Sequence, residues 1–158
     1  MRRALLLGVV AGAAGTAALN LATYLDMAGR GRPSSSVPAD VAGELAGAAG
    51  VELASGEDED TAGNRREGLG ALLGIATGLG VGAAYGLLRA GLNRLPLPLA
   101  AAGVGAAAMA GSDLPATALG VTDPRTWPAS SWAADLVPHL VYGVVTVATY
   151  DWLDRQRG

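Results

Sequence analysis

Three side chains near the carboxyl terminus of the sequence have the types and spacing needed to hold a proton or share hydrogen bonds. Asp135, His139 and Tyr142 stand at positions i, i+4 and i+7, so a helix places them on one face. A carboxylate one turn from an imidazole favours the protonated ring, whereas burial in lipid opposes it. Two interpretations stay open, a proton or solute site and hydrogen bonding between helices, and we favour the second.

Two further polar residues are candidates for the same cluster. Asn20 lies in an apolar run near the amino terminus, and Asp113 follows another apolar run. A charged Asp at the centre of a bilayer costs roughly 2.5 to 3.5 kcal/mol, which makes function the usual hypothesis for such residues. The predicted topology puts Asp113 at the same end as Asp135 and His139, so convergence of these three is geometrically feasible.

Several classes of function are excluded by composition. The chain has no Cys and a single His, and no nucleophile–base pair or set of metal ligands is visible. We therefore predict no catalytic residue, no metal and no cofactor, and hence no enzyme. The net charge of -3 is also unlike the broad basic surface that neutralises phosphates, so no nucleic acid partner is predicted.

The elements that carry these residues are predicted to be membrane-spanning helices. Hydrophobic residues make up 51% of the chain and charged residues 16%. A span needs about 20 apolar residues, because each rises ~1.5 Å through a hydrocarbon layer ~30 Å thick. Four runs reach or approach that length, at about residues 4–25, 68–88, 97–112 and 132–152. The first run resembles a cleaved signal peptide as well, but its apolar character continues to Leu25, which favours retention.

The segments outside the spans predict the topology. Residues 26–67 are expected to form a polar loop in which Ser36 caps a short amphipathic helix that ends near Gly50. Four spans place both termini on one side, with the turn after the second span. Six of the 11 basic residues fall on that side, close to the spans. By the positive-inside rule we predict that both termini are cytoplasmic.

A ladder of glycines four residues apart runs along the second span. Such residues follow one helix face and let a neighbouring backbone approach closely. Internal packing is favoured, and homo-oligomerisation through this face is the alternative. The ladder consists of Gly70, Gly74, Gly78, Gly82 and Gly86. Small or polar residues with matching spacing are Gly8, Gly12, Thr16 and Asn20 in the first span and Gly103, Ala107 and Gly111 in the third.

The last third of the sequence carries a further pattern. It comprises Leu114 and Pro115, the run Leu119 to Pro124, a Trp-bearing stretch, and the run His139 to Val141 ahead of Asp151 and Arg155. This pattern resembles the YagU-like family of bacterial inner-membrane proteins, in which a Gly-Leu-Thr-Pro turn precedes a helix bearing His-Leu-Val. Arg32, Pro33 and Ser36 are similar to a Pro/Arg/Ser stretch of that family. The resemblance implies an inner-membrane location and no particular activity.

The sequence thus predicts an all-α, multi-pass membrane protein of the bacterial inner membrane, with four helices packed through small residues. The expected function is structural or interactive, as an accessory subunit or an envelope-homeostasis factor. Its expected partners are the lipid bilayer and either a second copy or another membrane protein. The alternative is a small proton-linked transporter or channel that uses Asp113, Asp135 and His139, with Asn20.

Overall fold

A computed structural model describes residues 1–53, 59–91 and 95–156. Within these ranges the regular elements are all helical. They are α1 (Arg2–Arg30), α2 (Val37–Ala48), α3 (Glu59–Arg89), α4 (Leu97–Ala118) and α5 (Ala129–Arg155), with a 3-10 turn at Pro124–Thr126 before α5. Four of them, α1, α3, α4 and α5, are long and apolar enough to cross a membrane. The prediction of an all-α chain with four candidate spans is confirmed.

The four long helices form a ring of alternating direction. α1 packs closely on α3 and α5. α4 packs closely on α5 and makes fewer contacts with α3. The order around the ring is therefore α1, α3, α4, α5, and α3 lies diagonally opposite α5. The start of α1 meets the end of α5 through Arg3 and Asp154, whose side chains are 3.5 Å apart. The end of α3 meets α5 through Arg89 and Asp151 at 3.4 Å. We call this the termini end of the bundle and the opposite end the loop end.

The helices extend beyond the apolar runs that predicted them. α3 begins at Glu59 and not at Gly68. Arg65 and Arg66, which were predicted to lie in the polar loop, are therefore helical. Glu59 and Asp60 occupy its first turn, where acidic side chains complement the positive end of the helix dipole. α4 likewise continues past Ser112 to Ala118. Glu57 and Asp58 of the polar loop, and the arginines at positions 94 and 157, lie outside the described residues.

The short helix α2 lies on the first part of α3. Ser36 precedes α2, but its side chain makes no capping bond; the hydroxyl of Ser35 accepts the N–H of Val37 at 3.3 Å instead. Ala42 of α2 is buried. A Cβ added to Gly70 of α3 would lie 2.6 Å from the carbonyl of Pro38. The first glycine of the ladder therefore faces α2.

Glycines line the closest approach of α1 and α3. A Cβ added to Gly82 would lie 2.5 Å from Cα of Gly12, and one added to Gly12 would lie 2.6 Å from the carbonyl oxygen of Gly78. A Cβ on Gly86 would be 2.9 Å from Cα of Gly8. By contrast, Gly74 is exposed, and nothing lies within 4 Å of a Cβ built there.

α4 meets α5 through small residues that the spacing argument had not singled out. A Cβ added to Gly105 would lie 2.6 Å from the carbonyl oxygen of His139, and one added to Gly143 would lie 2.8 Å from the backbone nitrogen of Gly105. Gly103 and Ala107, predicted to face the ladder, point outward and are exposed. Gly111 does face α3, because its Cβ would be 2.9 Å from Cγ2 of Thr77.

Candidate functional site

The loop end brings together a carboxylate and an imidazole on the first turns of α5. Nδ1 of His139 lies 3.3 Å from Oδ1 of Asp135 and 2.8 Å from the backbone oxygen of the same residue. Two acceptors facing Nδ1 favour the ring form that carries a hydrogen there. The side chains of His139 and Asp135 are 13% and 22% exposed, so the pair is largely shielded.

Asp113 completes this cluster from the neighbouring helix. Its carboxyl group on α4 interacts with that of Asp135 and lies within electrostatic range of His139. Oδ2 of Asp135 is buried and has no hydrogen-bond partner among the described residues. The structure brings Asp113, Asp135 and His139 together, and we call these three residues the loop-end cluster.

The connection between α4 and α5 sets the position of Asp113 relative to Asp135. Gly120 has φ of 72°, a left-handed conformation that glycine adopts without steric cost. The N–H of Val121 bonds to the oxygen of Ala116 at 2.9 Å, which closes the end of α4. Nε1 of Trp127 then donates to the hydroxyl of Thr122 at 2.8 Å. These bonds hold the short loop that connects the end of α4 to the start of α5.

Tyr142 shares a helix face with the cluster but takes part in a different interaction. Its hydroxyl donates to the backbone oxygen of Gly78 on α3 at 2.6 Å, and the side chain is buried. Tyr150, two turns further on, donates to the oxygen of Gly86 at 3.3 Å. Both bonds join residues 64 apart, so α3 and α5 run in the same direction in register. The two tyrosines bridge the diagonal of the ring.

The axis of the bundle is closed by the side chains around these tyrosines. Thr146 and Val147 are as deeply buried as Tyr142. A Cβ added to Gly15 of α1 would lie 2.8 Å from Cδ2 of Tyr142, so α1 also contacts the ring directly. Neither Thr146 nor Tyr150 was among the predicted site residues. Their signal was the spacing of Tyr142, Thr146 and Tyr150, which repeats the four-residue spacing of Gly78, Gly82 and Gly86.

The termini end carries an ion pair and an aromatic contact between α3 and α5. Arg89 donates to Asp151 at 3.4 Å, and both side chains are at least three-quarters buried. The rings of Tyr85 and Tyr150 meet edge to face with centroids 5.4 Å apart. Tyr150, whose hydroxyl donates to Gly86, therefore contacts α3 through both its ring and its hydroxyl at this end.

Asn20 does not join the loop-end cluster. It is exposed on α1 and makes no hydrogen bond to the cluster in the part of the chain that the structure describes. No group of three His, Cys, Asp or Glu side chains that could hold a metal ion is found among the described residues. An acid–imidazole cluster such as Asp113, Asp135 and His139 has the groups needed to share hydrogen bonds or to hold a proton.

The fold and the site define a class: a four-helix bundle of candidate membrane spans, closed along its axis, with an acid–imidazole cluster at one end. No protein-family model, curated protein or solved structure matches the chain.

Proposed function

We propose that this chain is a structural or interaction protein of the bacterial inner membrane, an accessory subunit or an envelope-homeostasis factor. The observation that carries the proposal is the closed axis, in which Tyr142, Thr146 and Val147 are each at most 1% exposed. A bundle filled in this way leaves its outer helix faces as the surfaces that meet other molecules. The location in the inner membrane rests on the resemblance to the YagU-like family.

Small-residue contacts are proposed as the force that holds the bundle together. Helices in lipid gain little from burying apolar side chains, so close backbone approach and interhelical hydrogen bonds carry more of the association. Gly8 and Gly12 of α1 face Gly82 of α3, and Gly105 faces Gly143 across α4 and α5. The bonds from Tyr142 and Tyr150 add the diagonal link.

The interaction proposal predicts one contact face in living cells. A photo-crosslinking amino acid would be placed singly at Val10, Leu72, Leu99 and Val144, one exposed site on each long helix. We expect a discrete crosslinked protein, identified by mass spectrometry, from one or two adjacent helices. The buried site Ala11 is the control and should give no intermolecular product. Four sites that crosslink to lipid alone would contradict the proposal.

Both termini are proposed to be cytoplasmic. The arginines of the termini end support this orientation, since they lie at the helix boundaries where the positive-inside rule applies. The chain has no Cys, so single cysteines report cleanly. In intact cells with a permeable outer membrane, Ser34→Cys should react with an impermeant maleimide. Gln156→Cys should react only after lysis, and the reverse pattern would invert the topology.

A second candidate function is proton-linked transport or a proton channel, and the loop-end cluster is the observation that favours it. Asp113, Asp135 and His139 lie together at the loop end, and His139 is one helical turn from Tyr142 on α5. Under this candidate, purified protein in liposomes carries a proton flux that Asp135→Asn and His139→Ala each reduce about a hundredfold or more, the effect typical of losing a proton-transfer group. An internal pH-sensitive dye measures the flux.

The matched control for the flux assay is Asp40→Asn, which removes an exposed carboxylate from α2. It should leave the flux at its original value. A wild-type flux equal to that of empty liposomes, or one that survives both cluster substitutions, would contradict the transport candidate. The structural proposal expects the first of these results.

A further inference from the structure

An apolar groove lies at the termini end, between the start of α1 and the end of α5. It has a volume of about 620 Å³ and is open on one side. Its lining residues are Arg3, Leu6, Leu7, Trp152, Leu153 and Gln156. None of them belongs to the loop-end cluster, so the groove is separate from the site described above.

The lining is ordered along the helix axes. Arg3 and Gln156 are the outermost residues, and the leucines and Trp152 lie one turn closer to the middle of the bundle on the same two helices. A ligand that fills the groove therefore needs a polar or charged part at the mouth and an apolar part below it. A free phosphate has only the first of these, whereas a phospholipid has both.

The charge at the mouth selects an anionic headgroup. The described charged residues at the termini end are Arg2, Arg3, Arg89 and Arg155 against Asp151 and Asp154, a positive surplus. Nη2 of Arg3 donates to the backbone oxygen of Asp154 at 3.2 Å and lies 3.5 Å from the carboxylate of the same residue, which holds the side chain at the groove. The guanidinium carries five N–H donors, and the side chain is 52% exposed, so donors remain for a phosphate.

We propose that this groove binds one anionic phospholipid, with its phosphate on Arg3 and an acyl chain along Leu6, Leu7 and Trp152. Basic residues beside clefts between spanning helices recognise anionic headgroups in this way. The site does not depend on which partner or solute the protein serves. It gives the bundle a preference for one class of lipid at one end only.

Quenching by brominated lipids tests the proposal. Trp127→Phe with Trp132→Phe leaves Trp152 as the single indole. Two vesicle preparations contain the same amounts of phosphatidylglycerol and phosphatidylcholine, and the bromine is carried by only one of the two lipids. We expect Trp152 to report an about fivefold preference for phosphatidylglycerol, the factor that corresponds to ~1 kcal/mol per arginine at an anionic headgroup. Arg3→Gln should abolish the preference.

Matched variants separate a built site from general attraction to lipid. Arg2→Gln removes a neighbouring charge that does not line the groove, and it should keep most of the preference. Leu7→Phe narrows the groove and should lower quenching of Trp152 by brominated phosphatidylglycerol with Arg3 intact. A protein with Trp132 as its single indole, at the loop end, should show no preference. Equal quenching of Trp152 by the two lipids, or a preference that survives Arg3→Gln, would overturn the proposal.

Discussion

Alanine at Gly82 is expected to destabilise the bundle by about 1–3 kcal/mol, the range found for overpacked sites. The added Cβ would lie 2.5 Å from both Cα and the carbonyl oxygen of neighbouring α1 glycines, Gly12 and Gly8 respectively. Both contacts are to backbone atoms, which cannot move aside by a change of rotamer. α1 and α3 must therefore separate, and the loss should appear in reversible unfolding followed by circular dichroism in mixed micelles.

Gly74→Ala is the matched control within the same ladder. Nothing lies within 4 Å of a Cβ at Gly74, so the substitution meets no neighbour. Alanine also exceeds glycine in helix propensity by about 0.8–1 kcal/mol, so stability should stay unchanged or rise slightly. Equal losses for Gly74→Ala and Gly82→Ala would show that the contacts of α1 with α3 are not those described here.

The contrast between these two glycines shows what the ladder predicted from sequence and what it did not. Residues four apart advance about 40° around a helix at 3.6 residues per turn, so the five glycines from Gly70 to Gly86 turn through about 160°. One neighbouring helix cannot cover that arc. Gly70 faces α2, Gly82 and Gly86 face α1, and Gly74 falls in the gap between them.

The number of spans was predictable because hydropathy depends on local composition. The helix ends were not, since charged residues continue a helix on the water side of a boundary, as Glu59 and Asp60 do in α3. The pairing of Asp135 with His139 was also local, one turn within a single helix. The position of Asp113 relative to Asp135 was harder to predict, because it depends on the length and hydrogen bonding of the segment that connects α4 to α5.

The diagonal bonds of Tyr142 and Tyr150 lay beyond the sequence interpretation for a different reason. They depend on the relative height of α3 and α5, two helices that do not follow each other in the chain. The ladder glycine that accepts each of these bonds has a second role besides helix packing. Because glycine has no side chain to shield its carbonyl oxygen, a phenol from the far helix can reach Gly78 and Gly86.

Removal of the ring at Tyr142 is expected to cost about 3–5 kcal/mol, as for other buried aromatic side chains replaced by alanine. Tyr142→Phe keeps the ring and removes only the bond to Gly78, so its cost should be about 0.5–1.5 kcal/mol. Tyr24→Ala is the control, because Tyr24 is 62% exposed and fills no space in the bundle. Unfolding in the same mixed micelles measures all three variants.

The relative sizes of these losses in stability test whether the ring of Tyr142 fills the centre of the bundle. If Tyr142 fills the centre of the bundle, most of the loss comes from the empty volume, and Tyr142→Ala must cost several times more than Tyr142→Phe. If Tyr142→Phe were as costly as Tyr142→Ala, the hydrogen bond to α3 would be the dominant contact, and packing would be secondary. If neither substitution lowered stability more than Tyr24→Ala, the ring would not lie between α3 and α5. The axis would then be open, and the transport candidate would gain over the structural one.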